Sequence, residues 1–325
     1  MNWRKQYLFR LRVNNGSIFI LALWSLFFLS ALALAIAAYV HPQLSLAGRF
    51  KDKVTVYYLA EAGVKRAIGQ IVNTVTPGYD TLNEFLPSGK NDFREMGVAE
   101  GEFNYAVADE ERKININKSS YDVLERFFET VAELTPQQAG DVSACIMDWR
   151  EAGEKARKNG AKSSYYQALG PSYPSKNKDF ELLEEILMVK GVTPDIFNKI
   201  KDRITVYGTG AVNINTADKL VLKSLGMSDS LADKIIHFRN GNDGIEATSD
   251  DNFFSAAENI ISILRAAEKL TPDESGQLAN IAASGLLCVR SDNFRGESTG
   301  KSVKDYLRID FVFSRGKTIR FWREG

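Results

Sequence analysis

The residues able to do chemistry in this chain are few: His41 and His237, Cys145 and Cys288, and an acidic cluster at Asp148, Glu151 and Glu154. His41 adjoins a long apolar run, so a Ser-His-Asp or Cys-His site would rest on His237 alone, and a histidine on a helix flank is the plainer reading. The thiols lie in apolar surroundings, Ser143-Ala144-Cys145-Ile146 and Leu286-Leu287-Cys288-Val289. They could pair in an oxidising compartment if the fold joined them, but their context favours two buried small hydrophobes. Asp148, Glu151 and Glu154 could offer oxygens to a hard cation such as calcium. Arg150, Lys155, Arg157 and Lys158 interleave with them, which is the pattern of a solvated helix end. Residues 243–251 hold further acids around Gly244 without the Asp-x-Asp spacing of a calcium loop, and read as a mobile linker. The sequence has no glycine-rich phosphate loop, no His-Glu-x-x-His and no paired-Cys metal motif. No catalytic residue and no cofactor are therefore assigned, calcium at Asp148 and Glu151 being the one weak candidate.

The elements around these residues are small helical pairs. Lys113-Ile114-Asn115-Ile116-Asn117, with Leu124 downstream, recurs as Ala211-Val212-Asn213-Ile214-Asn215 with Leu222, an offset of 98 residues. Each copy reads as a short extended piece ending in an Asn that caps the next helix, 119–130 or 217–225, followed by a second helix, 136–150 or 230–239. Helices at 180–189 and 195–201, joined through Gly191-Val192-Thr193-Pro194, form another hairpin between the copies. These hairpins are similar to the helix-hairpin-helix, which holds DNA phosphates on backbone amides. Lys190-Gly191-Val192-Thr193 and Leu225-Gly226-Met227-Ser228 each lack the second glycine of such a turn, so a scaffold use is favoured and no nucleic acid is expected.

Outside this helical stretch, Phe103-Asn104-Tyr105-Ala106-Val107 alternates as a strand, and further strands are predicted at 285–289, 306–313 and 318–322. Leu307, Ile309, Phe311 and Phe313 share a face, and Ser314-Arg315-Gly316-Lys317 supplies a hairpin turn. The four strands predict one antiparallel sheet interrupted by an inserted domain. Residues 78–102, polar and rich in Gly and Pro, read as a connection. Before them Val54, Tyr57, Ala60, Val64, Ile68 and Ile71 recur at helical steps, and Thr76-Pro77-Gly78 stops that helix.

Residues 17–40 carry no charge and would span about 36 Å as a helix, enough for a bilayer core of about 30 Å. Arg4, Lys5, Arg10 and Arg12 precede Gly16 with no acid among them, which places that end in the cytoplasm and the chain beyond residue 40 outside. Ala35-Ile36-Ala37 resembles a signal-peptide cleavage site, but the run exceeds the usual ~7–15-residue apolar region, so anchoring is the preferred reading. Pro42 can kink or end the helix, yet the pattern resumes and predicts one long helix, half in the membrane and half on the exported domain. With the four leader charges set aside, 41 acidic residues face 37 basic ones, which argues against a phosphate-binding exterior. At 44% hydrophobic and 25% charged residues the chain can build a real core.

Taken in order, several segments together resemble the minor pseudopilin K of bacterial type II secretion systems, the general secretion pathway protein K family. They are the basic leader ending at Gly16, the apolar helix, Leu59-Ala60-Glu61-Ala62-Gly63-Val64, Asp109-Glu110 before Lys113-Ile114-Asn115-Ile116-Asn117, Asp148-Trp149, Val189-Lys190-Gly191-Val192, Ile204-Thr205-Val206-Tyr207, Asn213-Ile214-Asn215-Thr216-Ala217 and Trp322-Arg323-Glu324. The resemblance implies an α+β fold: a pilin-like long N-terminal helix packed on an antiparallel β-sheet, with a large α-helical domain inserted into the sheet. On the residues, it divides the chain into a leader (1–16), a transmembrane and assembly helix (17–40), a pilin-like helix, connection and first strand (41–112), the inserted helical domain (113–283) and C-terminal strands (284–325). It implies cleavage after Gly16 by prepilin peptidase, Ser17 as the new N-terminus, and Leu21 where most pilin-like proteins carry Glu. It further implies a non-enzymatic, single-pass inner-membrane protein of Gram-negative bacteria that is membrane-inserted before assembly. Its partners would be the minor pseudopilins I and J, then the other pseudopilins of the filament, whose tip it would cap and whose assembly it would help start. Calcium is associated with the family's insert, but Gly160-Ala161-Lys162 places a lysine where an acid is expected. The alternatives are a tip subunit of a related type IV pilus and a membrane-anchored helix-hairpin-helix DNA-binding protein of an uptake system.

Overall fold

The computed structural model describes residues 15–73, 78–85, 94–98 and 101–325. The leader charges Arg4, Lys5, Arg10 and Arg12, and the helix stop at Thr76-Pro77, lie outside the described residues. The chain divides into two compact units, Met1–Thr55 and Val56–Gly325.

In the first unit the described residues all belong to α1 (Asn15–Val72), which continues through Pro42. Its apolar stretch is long enough to cross a membrane and is exposed throughout residues 17–40. Exposed apolar area costs about 25 cal/mol per Å² in water, a cost that a bilayer removes.

In the second unit the remainder of α1 lies on a sheet. Leu59, Ala60, Val64, Ala67 and Ile71 form one core with Phe103, Tyr105, Val107, Phe294, Ile309, Phe311 and Phe313. The buried stripe begins at Val56, whereas Val54 is exposed, contrary to the sequence expectation. The seam uses small residues that a search for large apolar side chains passes over. Gly63 admits Ser298, whose Oγ donates to Ala60 O at 2.8 Å, and Gly300 lies against the backbone at Val56 and Ala60; a Cβ at either glycine would collide.

After α2 (Leu82–Phe85) come the sheet strands β1 (Arg94–Val98) and β2 (Gly101–Asp109). The chain then leaves the sheet for an insert: β3 (Ile114–Asn115), α3 (Tyr121–Val131), α4 (Pro136–Arg150), α5 (Ser163–Gln167), α6 (Pro194–Ile200), β4 (Ile204–Thr205), β5 (Val212–Asn213), α7 (Lys219–Ser224), α8 (Asp229–Arg239), α9 (Ile260–Ala267), α10 (Pro272–Ala283) and β6 (Leu287–Cys288). It returns through β7 (Asn293–Lys301), β8 (Tyr306–Ser314) and β9 (Ile319–Glu324). The five-stranded sheet has the order β1-β2-β7-β8-β9 with every pair antiparallel.

Several sequence expectations are corrected here. The segment around 285–289 does not join the sheet: its two strand residues, β6, pair in parallel with β5. The sheet's central strand is instead β7, whose glycines and charges give no alternating apolar signal. The excursion from the sheet thus runs 110–292, wider at both ends than 113–283. The stretch expected as a helix at 180–189 is a 3-10 helix at Leu183–Met188. Within 78–102, α2 and β1 are ordered elements rather than plain connection.

The duplication at an offset of 98 is structural. In the first copy Arg150 donates to the carbonyls of Ile116 and Ser119; in the second Arg239 donates to those of Ile214 and Ala217. The helices that follow are capped by Ser120 and Asp218, not by the expected asparagines. A cap needs only an acceptor, whereas the asparagine amide has both a donor and an acceptor and is used against the N–H and the C=O of one distant residue. Asn117 donates to Phe180 O at 2.9 Å and accepts from Phe180 N at 2.7 Å. Asn215 does the same with Phe254 at 2.9 and 2.8 Å. The two copies share a single apolar core.

Candidate functional site

The expected processing and assembly residues fall on the first turns of α1. Ser17 is exposed, and Leu21 is 70% exposed, in a charge-free stretch dominated by apolar side chains. This surface offers no acid or base for chemistry; what it can do is insert into lipid or pack on other apolar helices.

The expected cation residues lie at the C-terminal end of α4. Asp148 is fully buried, and its carboxylate accepts from Arg157 twice, from the guanidinium at 2.8 Å and from the backbone N–H at 2.9 Å. The same guanidinium reaches the Glu151 carboxylate at 2.6 Å. Glu154 points elsewhere, to Asn177 Nδ2 at 3.1 Å and Ser163 Oγ at 3.3 Å. Lys162 is buried between these acids, its Nζ donating to the carbonyl oxygens of Asp148 and Glu151. The oxygens that calcium would need are held by an ammonium and a guanidinium, so the donor set does not fit the ion. Among the described residues no three His, Cys, Asp or Glu side chains converge as metal ligands do.

A second polar centre, which the sequence did not reveal, lies where the sheet meets the insert. Asp109, the last residue of β2, and Glu110 and Glu111 just after it are all buried. Asp109 accepts from Ser291 Oγ at 2.7 Å and Thr216 Oγ1 at 2.8 Å, and burial pushes its carboxyl up. Burial opposes ionisation of Glu110 too, but Lys113 and Arg295 outweigh it and hold the carboxyl at about 2. Glu111 is met by Asn293, at 2.8 and 3.1 Å, and by the Asp292 backbone, and burial raises it to about 7. Nearby Asp80 is buried against Arg315 at 2.5 Å. Three adjacent acids were visible in the sequence, but three solvated acids would look the same.

The remaining candidates are structural in their contacts. His237 sits exposed in the last turn of α8, 2.7 Å from Glu268. Cys145 is buried, Cys288 is half-buried, both are free, and burial raises the Cys145 thiol to about 11. At each hairpin turn one amide is already bonded: Lys190 N–H donates to Tyr166 Oη and Ser228 N–H to Gln277 Oε1.

Residues 101–209 match the family model of type II secretion system protein K. That span covers β2 and the insert through β4. Among solved structures the fold is similar to a chain of the GspK-GspI-GspJ complex from the type 2 secretion system of enterotoxigenic Escherichia coli. The likeness has a TM-score of 0.62 at 13% identity and covers 88% of this chain and 99% of that one. No curated protein sequence matches. The match of residues 101–209 to type II secretion system protein K stands beside a long apolar N-terminal helix and an antiparallel sheet opened by a helical insert.

Proposed function

We propose that this chain is a non-enzymatic minor pseudopilin that caps the tip of the type II secretion pseudopilus and helps to initiate its assembly. The observation that carries this reading is the match of residues 101–209 to protein K, since that span holds the point where the chain leaves the sheet for its insert. The solved relative is complexed with GspI and GspJ, which supports the minor pseudopilins I and J as partners here. Before assembly the apolar helix is a single inner-membrane span, with the basic leader in the cytoplasm and the bulk of the chain in the periplasm, as the positive-inside bias favours. Prepilin peptidase cuts after Gly16 and leaves Ser17 as the N-terminus. An acid at position 21 would serve a subunit above this one; at a tip there is none, and an unpaired carboxylate in lipid is costly, so Leu21 suits that place. The bulk of the insert blocks addition of further subunits.

The test is to replace Gly16 by Leu in the full-length protein. Expected are an unprocessed band of lower gel mobility, retained membrane insertion, lost secretion, and loss of co-purification with the minor pseudopilins I and J, which the wild type brings down. Normal secretion by the unprocessed protein would overturn the reading.

A further inference from the structure

The loop between α4 and α5 is closed around one ammonium group. Lys162 is 3% exposed, and its Nζ donates to Asp148 O at 2.5 Å, Glu151 O at 2.6 Å and Asn177 Oδ1 at 3.2 Å. The first two acceptors are carbonyls at the C-terminal end of α4, where helical carbonyls lack intrahelical donors and the helix dipole favours a cation. The third comes from beyond α5, and the N–H of the same Asn177 donates to Trp149 O at 2.8 Å. Three separate points of the chain are thus drawn onto one positive centre. An ammonium has three donors, and all three are used.

Main-chain carbonyls and an amide oxygen around a desolvated cation form the donor set of a hard metal ion. Here the cation is part of the chain. Arg157 occupies the Asp148 carboxylate, and Gly160 is packed so closely against that carboxylate that no Cβ fits. Arg157 therefore pairs with the acids at 148 and 151 while Lys162 holds their main-chain carbonyls, and a divalent ion would have to displace both.

We propose that Lys162 is a tethered cation that takes the place of a divalent metal ion in cross-linking α4 to the segment at 177, so that this part of the insert folds independently of calcium. A carboxylate at position 162 would turn the same oxygens into a calcium site.

The experiment compares the full-length protein in detergent, with chelator and with about 1 mM calcium chloride, the range in which extracellular calcium modules load. The wild type is expected to keep one thermal midpoint in both conditions. Lys162→Met should lower the midpoint by roughly 5 °C or more, because it strips a buried set of acceptors of its donor, and calcium should not restore it. Lys162→Glu should fall at least as far in chelator and recover most of the loss with calcium. Acetylation of the native wild type read by mass spectrometry, which needs no variant to fold, should spare Lys162 while modifying the exposed lysines. A wild-type midpoint that rises with calcium, a Lys162→Met midpoint equal to wild type, a Lys162→Glu protein indifferent to calcium, or ready acetylation of Lys162 would each overturn the proposal.

Discussion

The two copies of the repeated unit, Ile-Asn-Ile-Asn in the first and Val-Asn-Ile-Asn in the second, reach the same main-chain arrangement and are then tied down by opposite means. In both, the first asparagine accepts from the N–H of the second, at 2.8 Å for Asn115 and 3.0 Å for Asn213. In both, an arginine from the second helix joins two carbonyls just after the short strand, and the second asparagine clasps the backbone N–H and C=O of a phenylalanine. Behind the first copy the loop closes on a cation, Lys162. Behind the second it closes on anions: Asp250 Oδ2 accepts from the N–H groups of Asn242 and Asp243, and Asp251 accepts from those of Ala247 and Thr248. The first asparagines also diverge. The Asn115 amide donates to the neutral carbonyls of Tyr207 and Gly208, whereas that of Asn213 reaches the buried Asp109 carboxylate and Ser291. A duplicated backbone thus preserves its peptide-level bonds while the side chains that anchor it to its surroundings are free to change sign.

The arginines offer the largest break between the copies. Arg239 is 3% exposed, and burial lowers its pKa to about 10, while Arg150 is half-buried. Removing a buried cation leaves desolvated carbonyls without a donor. Arg239→Met is expected to cost about 3 kcal/mol or more of unfolding free energy in urea, and Arg150→Met about half of that. Equal losses would mean that burial does not distinguish the copies.

Acidity should separate the copies next. Glu111 sits beneath the second copy, its backbone carbonyl accepting from Asn213 N–H at 2.8 Å. Facing its carboxyl are Asp109 and Asn293, Cys288 from β6, and Arg315 and Arg320 across a shared cavity. Its folded pKa of about 7 lies above the ordinary 4.5, so the native state keeps a proton that the unfolded chain releases between those values. The stability from Glu111 is therefore complete below pH 4.5 and is lost as pH rises through 7, by about 3 kcal/mol in all. Asp109 is shifted in the same direction, and Glu110, held near 2, changes outside this window. Urea titrations from pH 5 to 8 should show this decline, and Glu111→Gln should flatten it. A hydrogen-exchange profile in which amides of the first copy lose protection first would reverse the assignment.

The asparagine clasps should make the copies equal again. Asn117→Ala and Asn215→Ala each remove two buried bonds of nearly matched length, for an expected loss of about 2 kcal/mol apiece by urea unfolding. A neutral result at one position alone would show that the repeat is geometric but not energetic.

What could be read from the sequence follows the same division. The duplication, the long helix, strands β2, β8 and β9 and the helices at 136–150 and 230–239 are legible, because each rests on local periodicity or a close repeat at a fixed offset. Strand β7 is not. Its core contacts come from Phe294 and from glycines that admit a helix or a ring, and neither of those glycine uses registers as hydrophobicity. The caps are not decidable from sequence, because Asn, Ser and Asp all cap helices in isolation and only the distant backbone groups of Phe180 and Phe254 decide which one is diverted. For Lys162, the sequence showed a charge of the wrong sign for a calcium ligand. It could not show that the amine returns to carbonyls 11 and 14 residues earlier.

The smallest expected effect concerns the acid first considered as a metal ligand. The Glu151 side chain is 42% exposed and meets Arg157, itself 37% exposed, at 2.6 Å. A pair this open to water and salt contributes on the order of 0.5 kcal/mol or less. Glu151→Gln should therefore leave unfolding in urea nearly unchanged, with any difference vanishing in high salt. The main-chain carbonyl of the same residue is held by buried Lys162, and no side-chain substitution removes it. If Glu151→Gln cost as much as Lys162→Met, the loop would depend on the carboxylate rather than on the tethered ammonium, and the first copy would be closed by anions like the second.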